Sequence, residues 1–170
     1  MLMYNSFFRF FMEGYLQFTI SSLLCFKNLD TSSPMKMANL VVTSIFTLII
    51  IALPVFTFIF LYRNLQNLTK KEIKKKYESL YLEVDTKKRN AYLFSTLFLL
   101  RRLIYGVTLI LVPILWIQLM IILITSLTIL FFLVKFKPFD SKIINFVEIV
   151  NELTFITMVY IILGFNDLYK

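Results

Sequence analysis

The chain has 170 residues, 59% apolar and 16% charged, with 18 Lys or Arg against 10 Asp or Glu and a formal charge of +8. Soluble domains run at about 45–50% apolar and about 25% charged, so disordered, collagen-like and ordinary soluble globular classes are excluded and a polytopic membrane protein is indicated. There is no His, one Cys (Cys25) and no glycine-rich phosphate loop; without the usual zinc, haem or nucleophile-pair residues the chain is expected to be non-enzymatic and free of cofactors and metals.

A helix needs ~20 predominantly apolar residues to cross ~30 Å of hydrocarbon, and five stretches qualify. The first, 4–26, carries Arg9 and Glu13. A signal peptide is a poor reading of it, because the start is not basic, Glu13 interrupts the apolar run and no small-residue cleavage site follows. The second, 38–62, comes after Ser33-Pro34, which reads as an N-cap with Pro at the first helical position. Pro54 inside this span is expected to kink it, a feature that membrane helices tolerate when a neighbour satisfies the freed carbonyl. The third, 91–112, and the fourth, 115–134, are separated only by a turn at Pro113, so they form an antiparallel hairpin. Asp140 or Ser141 caps the fifth, 142–165. Barrel strands would instead show ~10-residue alternating segments. The fold class is therefore all-α: one polytopic helical membrane bundle over 1–170 with about five transmembrane helices.

The loop 63–90 holds nine Lys or Arg against four acids, and the linker 135–142 adds three Lys and one Asp. The other side holds Lys27, Lys36 and Lys170, so the positive-inside rule puts both basic loops and the N-terminus in the cytoplasm. Asn67-Leu68-Thr69 matches a glycosylation acceptor but falls on the side that glycosylation does not reach. Within the loop, Thr69 and Glu72 have capping-box spacing, and Ile73, Tyr77, Leu80 and Tyr81 follow at helical spacing. This is a short amphipathic helix expected to lie on the inner leaflet, with Lys70, Lys71, Lys74, Lys75 and Lys76 toward anionic headgroups. The bilayer, rather than nucleic acid, accounts for the basic charge. Partners in the membrane are expected, as a homo-oligomer or a larger complex.

Charges within the spans are rarer and carry more information. Arg101 and Arg102 sit in mid-span, because the 14 residues from Leu103 to Trp116, ~21 Å as a helix, are too few to cross alone. In the fifth span Glu148, Asn151 and Glu152 share one helical face, and in the first Arg9 and Glu13 lie one turn apart. Three arginines and three glutamates at similar depths sum to zero and form a candidate intramembrane network. It serves either to lock helices together or as an ion pathway or voltage- or proton-responsive switch. Gly14 and Gly106 are expected to admit close helix contact without a GxxxG motif.

The segments FFRFFMEGYLQFTISSLL (7–24), KKKYESLYLEV (74–84), YLFSTLFLLRRLIYG (92–106) and FKPFDSKIINFVEIVNEL (136–153) resemble a large family of ciliate transmembrane proteins. The membrane region of that family is in turn similar to the C-terminal domain of TRP- and polycystin-like channels. LLRRLIYG and NFVEIVNEL, which hold the intramembrane charges, are the most specific blocks. The resemblance implies a short or truncated member with a channel-like or transport-associated membrane domain and no catalysis. The alternative is a non-catalytic structural subunit of a larger membrane complex.

Overall fold

Five long helices make up the computed structural model, which describes residues 2–28, 34–64, 77, 80–81, 84–85, 88 and 90–168. They are α1 (Leu2–Lys27), α2 (Pro34–Asn64), α3 (Leu93–Leu111), α4 (Leu115–Phe136) and α5 (Lys142–Leu168). The fold is an all-α bundle. Helices α2, α3 and α4 and the Lys142–Phe165 part of α5 are long and apolar enough to cross a membrane. The fifth expected span, α1, has 26 residues, ~39 Å of helix, but does not join these four on length and composition. Its apolar run is diluted by Arg9, Glu13, Gln17, Thr19, Ser21 and Ser22. In each of the other four, less than a third of the most apolar stretch is buried. Leu48, Val55, Phe131, Phe146 and Tyr160 stand among many exposed apolar side chains, a surface suited to lipid rather than water.

Helices α1, α2 and α3 pack on one another, α4 packs on α5, and α3 joins the two groups through α4. Alternating chain direction makes α1 and α3 parallel and α2 antiparallel to both. The Tyr15 hydroxyl donates to the Ile50 carbonyl at 2.7 Å, and the Thr43 hydroxyl meets the Cys25 sulfur at 3.2 Å near the other end. The Tyr15 bond answers a local defect. Pro54 has no N–H for the carbonyl four residues earlier, which belongs to Ile50; α1 supplies the missing donor and α2 runs on through Pro54 to Asn64. Gly106 lets α3 approach α1: a Cβ there would stand 2.6 Å from Thr19 Cγ2. Gly14 does not play the expected part. The nearest atoms to a Cβ at Gly14 belong to Phe18 of its own helix.

The turns follow from single residues. At Pro113 the flanking Val112 and Ile114 are extended, and the Gln118 side-chain amide donates to the Val112 carbonyl at 2.6 Å. The α4–α5 turn opens with Lys137 in the left-handed region, φ 44°. Of the two candidate caps for α5 it is Ser141 whose hydroxyl accepts from the Ile143 N–H. Buried Asn145 completes the turn by bonding the Phe139 N–H and carbonyl and the Ser141 carbonyl.

Part of the long basic loop closes over this end. Leu80, Tyr81 and Val84 are buried with Leu61, Ala91 and Tyr92, and Phe8, Phe60 and Tyr77 pack against them. Val84 bridges to Phe139, and the Asp85 N–H donates to the Pro138 carbonyl at 2.8 Å. The apolar side chains of the expected amphipathic helix that are described thus face protein. Its Thr69 cap and Lys70, Lys71, Lys74, Lys75 and Lys76 lie outside the described residues.

Candidate functional site

Arg101 is the ninth residue of α3, ~12 Å from its start, and Glu152 is ~15 Å into α5 at 1.5 Å per residue. The two meet between helices: Arg101 Nη1 donates to Glu152 Oε1, and only 16% and 8% of the two side chains are exposed. Two hydroxyls complete the surroundings. Arg101 Nε donates to the Tyr105 hydroxyl at 2.8 Å, and Tyr105 and Ser126 Oγ share a hydrogen bond of 2.8 Å. Ser126 lies at mid-α4 and is fully buried. The guanidinium carbon also stands 5.1 Å from the Tyr105 ring centre and 5.3 Å from that of Phe155, cation–π contacts that strengthen where water is absent. Three helices therefore converge on one charge.

Glu152 is not fully engaged. Its Oε2 is buried with no hydrogen-bond partner among the described residues. An ion-paired carboxylate with a second, unpartnered oxygen retains acceptor capacity for a hydrogen-bond donor or a cation.

Arg102, Arg9 and Glu13 are engaged elsewhere. Arg102, one residue along α3, turns to α1: its Nη1 donates to the Met12 carbonyl at 2.6 Å and reaches the Glu13 carbonyl at 3.3 Å. Its guanidinium stacks 4.1 Å over Phe98. Main-chain carbonyls and an aromatic face stand in for a carboxylate. Arg9 and Glu13 pair with each other at 2.8 Å on α1, with about two thirds of each side chain exposed. Glu148 is half-buried one turn before Glu152, and Asn151, expected on the same face, is exposed. Of the seven residues, Arg101 and Glu152 meet between α3 and α5, Arg102 turns to α1, and Arg9 pairs with Glu13.

Tyr105 and Ser126 were not singled out by the sequence. Tyr105 was accessible to it, being four residues from Arg101 and so on the same face; Ser126 gave no signal, since a single hydroxyl in an apolar helix is ordinary. Comparisons with protein-family models, curated proteins and solved structures find no match to this chain.

Proposed function

We propose that the chain is a non-catalytic membrane domain of channel-like or transport-associated type, in which the Arg101–Glu152 pair couples the α1–α3 group to the α4–α5 hairpin. The observation that carries this reading is a buried ion pair between two membrane-length helices, with one carboxylate oxygen left open. α3 commits one arginine to each side: Arg102 to α1, Arg101 to α5. A cation at Oε2 weakens the hold on Arg101, from which the Tyr105 hydroxyl continues to accept. In this proposal the basic loops face the cytoplasm, and Lys70, Lys71, Lys74, Lys75 and Lys76 meet anionic lipid.

The test is ion flux or single-channel current from the purified chain in liposomes. Current altered by Glu152→Gln supports the reading. An electrically silent protein that co-purifies at fixed stoichiometry with larger membrane proteins replaces it with the structural-subunit reading, which the exposed Arg9–Glu13 pair on α1 favours.

A further inference from the structure

The turn between α3 and α4 lacks the residues that turns in water use. From Leu103 to Val134 there is no charged residue, and from Leu109 to Ile117 every residue is apolar, Pro113 included. Turns in water favour Gly, Asn, Asp and Ser. Here Leu111, Ile114, Leu115 and Ile117 stand exposed. The backbone is served from within the protein as well. A helix end leaves carbonyls that water ordinarily satisfies. At this end the Lys27 ammonium of α1 donates to the Ile110 carbonyl at 3.3 Å, and the Gln118 side-chain amide of α4 donates to the Val112 carbonyl at 2.6 Å. Pro113 has no N–H that would need an acceptor. Donors from protein are what a backbone in hydrocarbon requires.

Helix register gives the depth of the turn. Thr19 abuts Gly106, so in the parallel helices α1 and α3 Cys25 comes about level with Val112. Cys25 in turn meets the Thr43 hydroxyl of α2. Thr43 lies inside the uncharged run of α2 from Leu40 to Tyr62, which is ~34 Å of helix and enough for ~30 Å of hydrocarbon. Beyond Thr43, α2 runs on to Pro34, a further ~13 Å. The α3–α4 turn therefore stops short of the end of its neighbour.

We propose that this turn is a lipid-embedded tip, which ends among the acyl chains of the leaflet opposite the basic loops and is covered by phospholipid. The acyl chains meet Leu111, Ile114, Leu115 and Ile117. Lys27 has a side chain long enough to hold its charge near the headgroups, and its ammonium keeps donors for lipid phosphate beyond the one given to Ile110. Phospholipid supplies both chemistries, whereas water would leave four large apolar side chains bare. The proposal holds whether or not the protein conducts.

The chain carries its own probe, because its one tryptophan, Trp116, lies in the first turn of α4. The experiment uses the unaltered full chain in phosphatidylcholine liposomes. Replacing the lipid by phosphatidylcholine brominated along its acyl chains is expected to remove most of the Trp116 emission, and acrylamide in the water little of it. Acrylamide quenching that matches or exceeds quenching by the brominated chains overturns the proposal, since the turn then stands in water. Quenching by neither also overturns it, since the turn is then covered by protein. A second measurement uses the Cys25→Ser background, so that each added thiol is the only one, with a membrane-impermeant maleimide on both sides of the bilayer. Ile114→Cys is expected to stay unmodified under conditions that fully modify Lys36→Cys, near the start of α2. Equal modification at the two positions overturns the embedded tip.

Discussion

The Arg101 guanidinium is met between membrane-length helices by acceptors on Glu152, Tyr105 and Ser126 and by the ring of Phe155. A charged side chain at the bilayer centre costs at least ~2.5 kcal/mol even on the mildest scales, and one stripped of its partner costs more. Glu152→Gln is therefore expected to destabilise the detergent-solubilised protein by up to about 3–5 kcal/mol. Arg101→Gln combined with it should recover part of that loss, with a coupling of roughly 0.5–3 kcal/mol in a double-mutant cycle read by thermal unfolding. Additive losses would show that the two side chains act separately. The sequence led to these residues through depth and balance of charge. It left open which arginine pairs, because Arg101 and Arg102 are adjacent and point ~100° apart, and only the packing of α3 between α1 and the hairpin assigns each a direction. Arg102 shows why charge counting falls short: its partners are the Met12 and Glu13 carbonyls, which every residue carries and no pattern reveals.

At the scale of helices, the contacts that set register answer defects in the backbone or the absence of a side chain. Pro54 was expected to need a donor for the freed carbonyl, and Tyr15 is that donor. Removing the hydroxyl in Tyr15→Phe leaves the Ile50 carbonyl unpaired in an apolar setting, at a cost of about 1–3 kcal/mol. In a Pro54→Ala background, where the α2 N–H returns, the same change should cost clearly less. Thermal unfolding of the four proteins checks it, and an equal cost in both backgrounds defeats the assignment. Gly106 supports a parallel test. Alanine is the better helix former by about 1 kcal/mol, yet its Cβ would stand 2.6 Å from Thr19 Cγ2, and overpacking of this sort costs about 1–3 kcal/mol. Gly106→Ala should thus be net destabilising, and Thr19→Ser, which removes that methyl and keeps the hydroxyl bonded to the Tyr15 carbonyl, should relieve it. Sequence alone made Gly14 and Gly106 equivalent. They differ because Gly106 faces α1 across an interface, while Gly14 sits beside Phe18 of its own helix.

At the scale of the molecule, helix number and order were legible, since long apolar runs broken by Pro113 and by the 137–141 turn admit few other readings. The neighbours of each helix were not legible, and neither was the cover that Leu80, Tyr81 and Val84 form over one end, because apolar residues at helical spacing fit a leaflet and a protein core equally well. That cover bears on orientation. The Val84–Phe139 bridge and the Asp85–Pro138 hydrogen bond tie the end of the long loop to the α4–α5 turn, so the two basic loops meet at one end of the bundle. Lys27 lies at the other, where its ammonium reaches the Ile110 carbonyl at 3.3 Å. The positive-inside rule acts on short loops near span ends, so two basic loops at one end reinforce each other and the proposed orientation puts that end in the cytoplasm. A cysteine at exposed Lys142, in the Cys25→Ser background, should then react with a membrane-impermeant thiol reagent only after the cell is permeabilised. A cysteine at exposed Lys36, near the start of α2 and hence at the opposite end, should react in intact cells. The reverse pattern would invert the bundle, and labelling of both sites from outside would mean that an odd number of crossings does not separate them, removing one of the helices α2 to α4 from the bilayer.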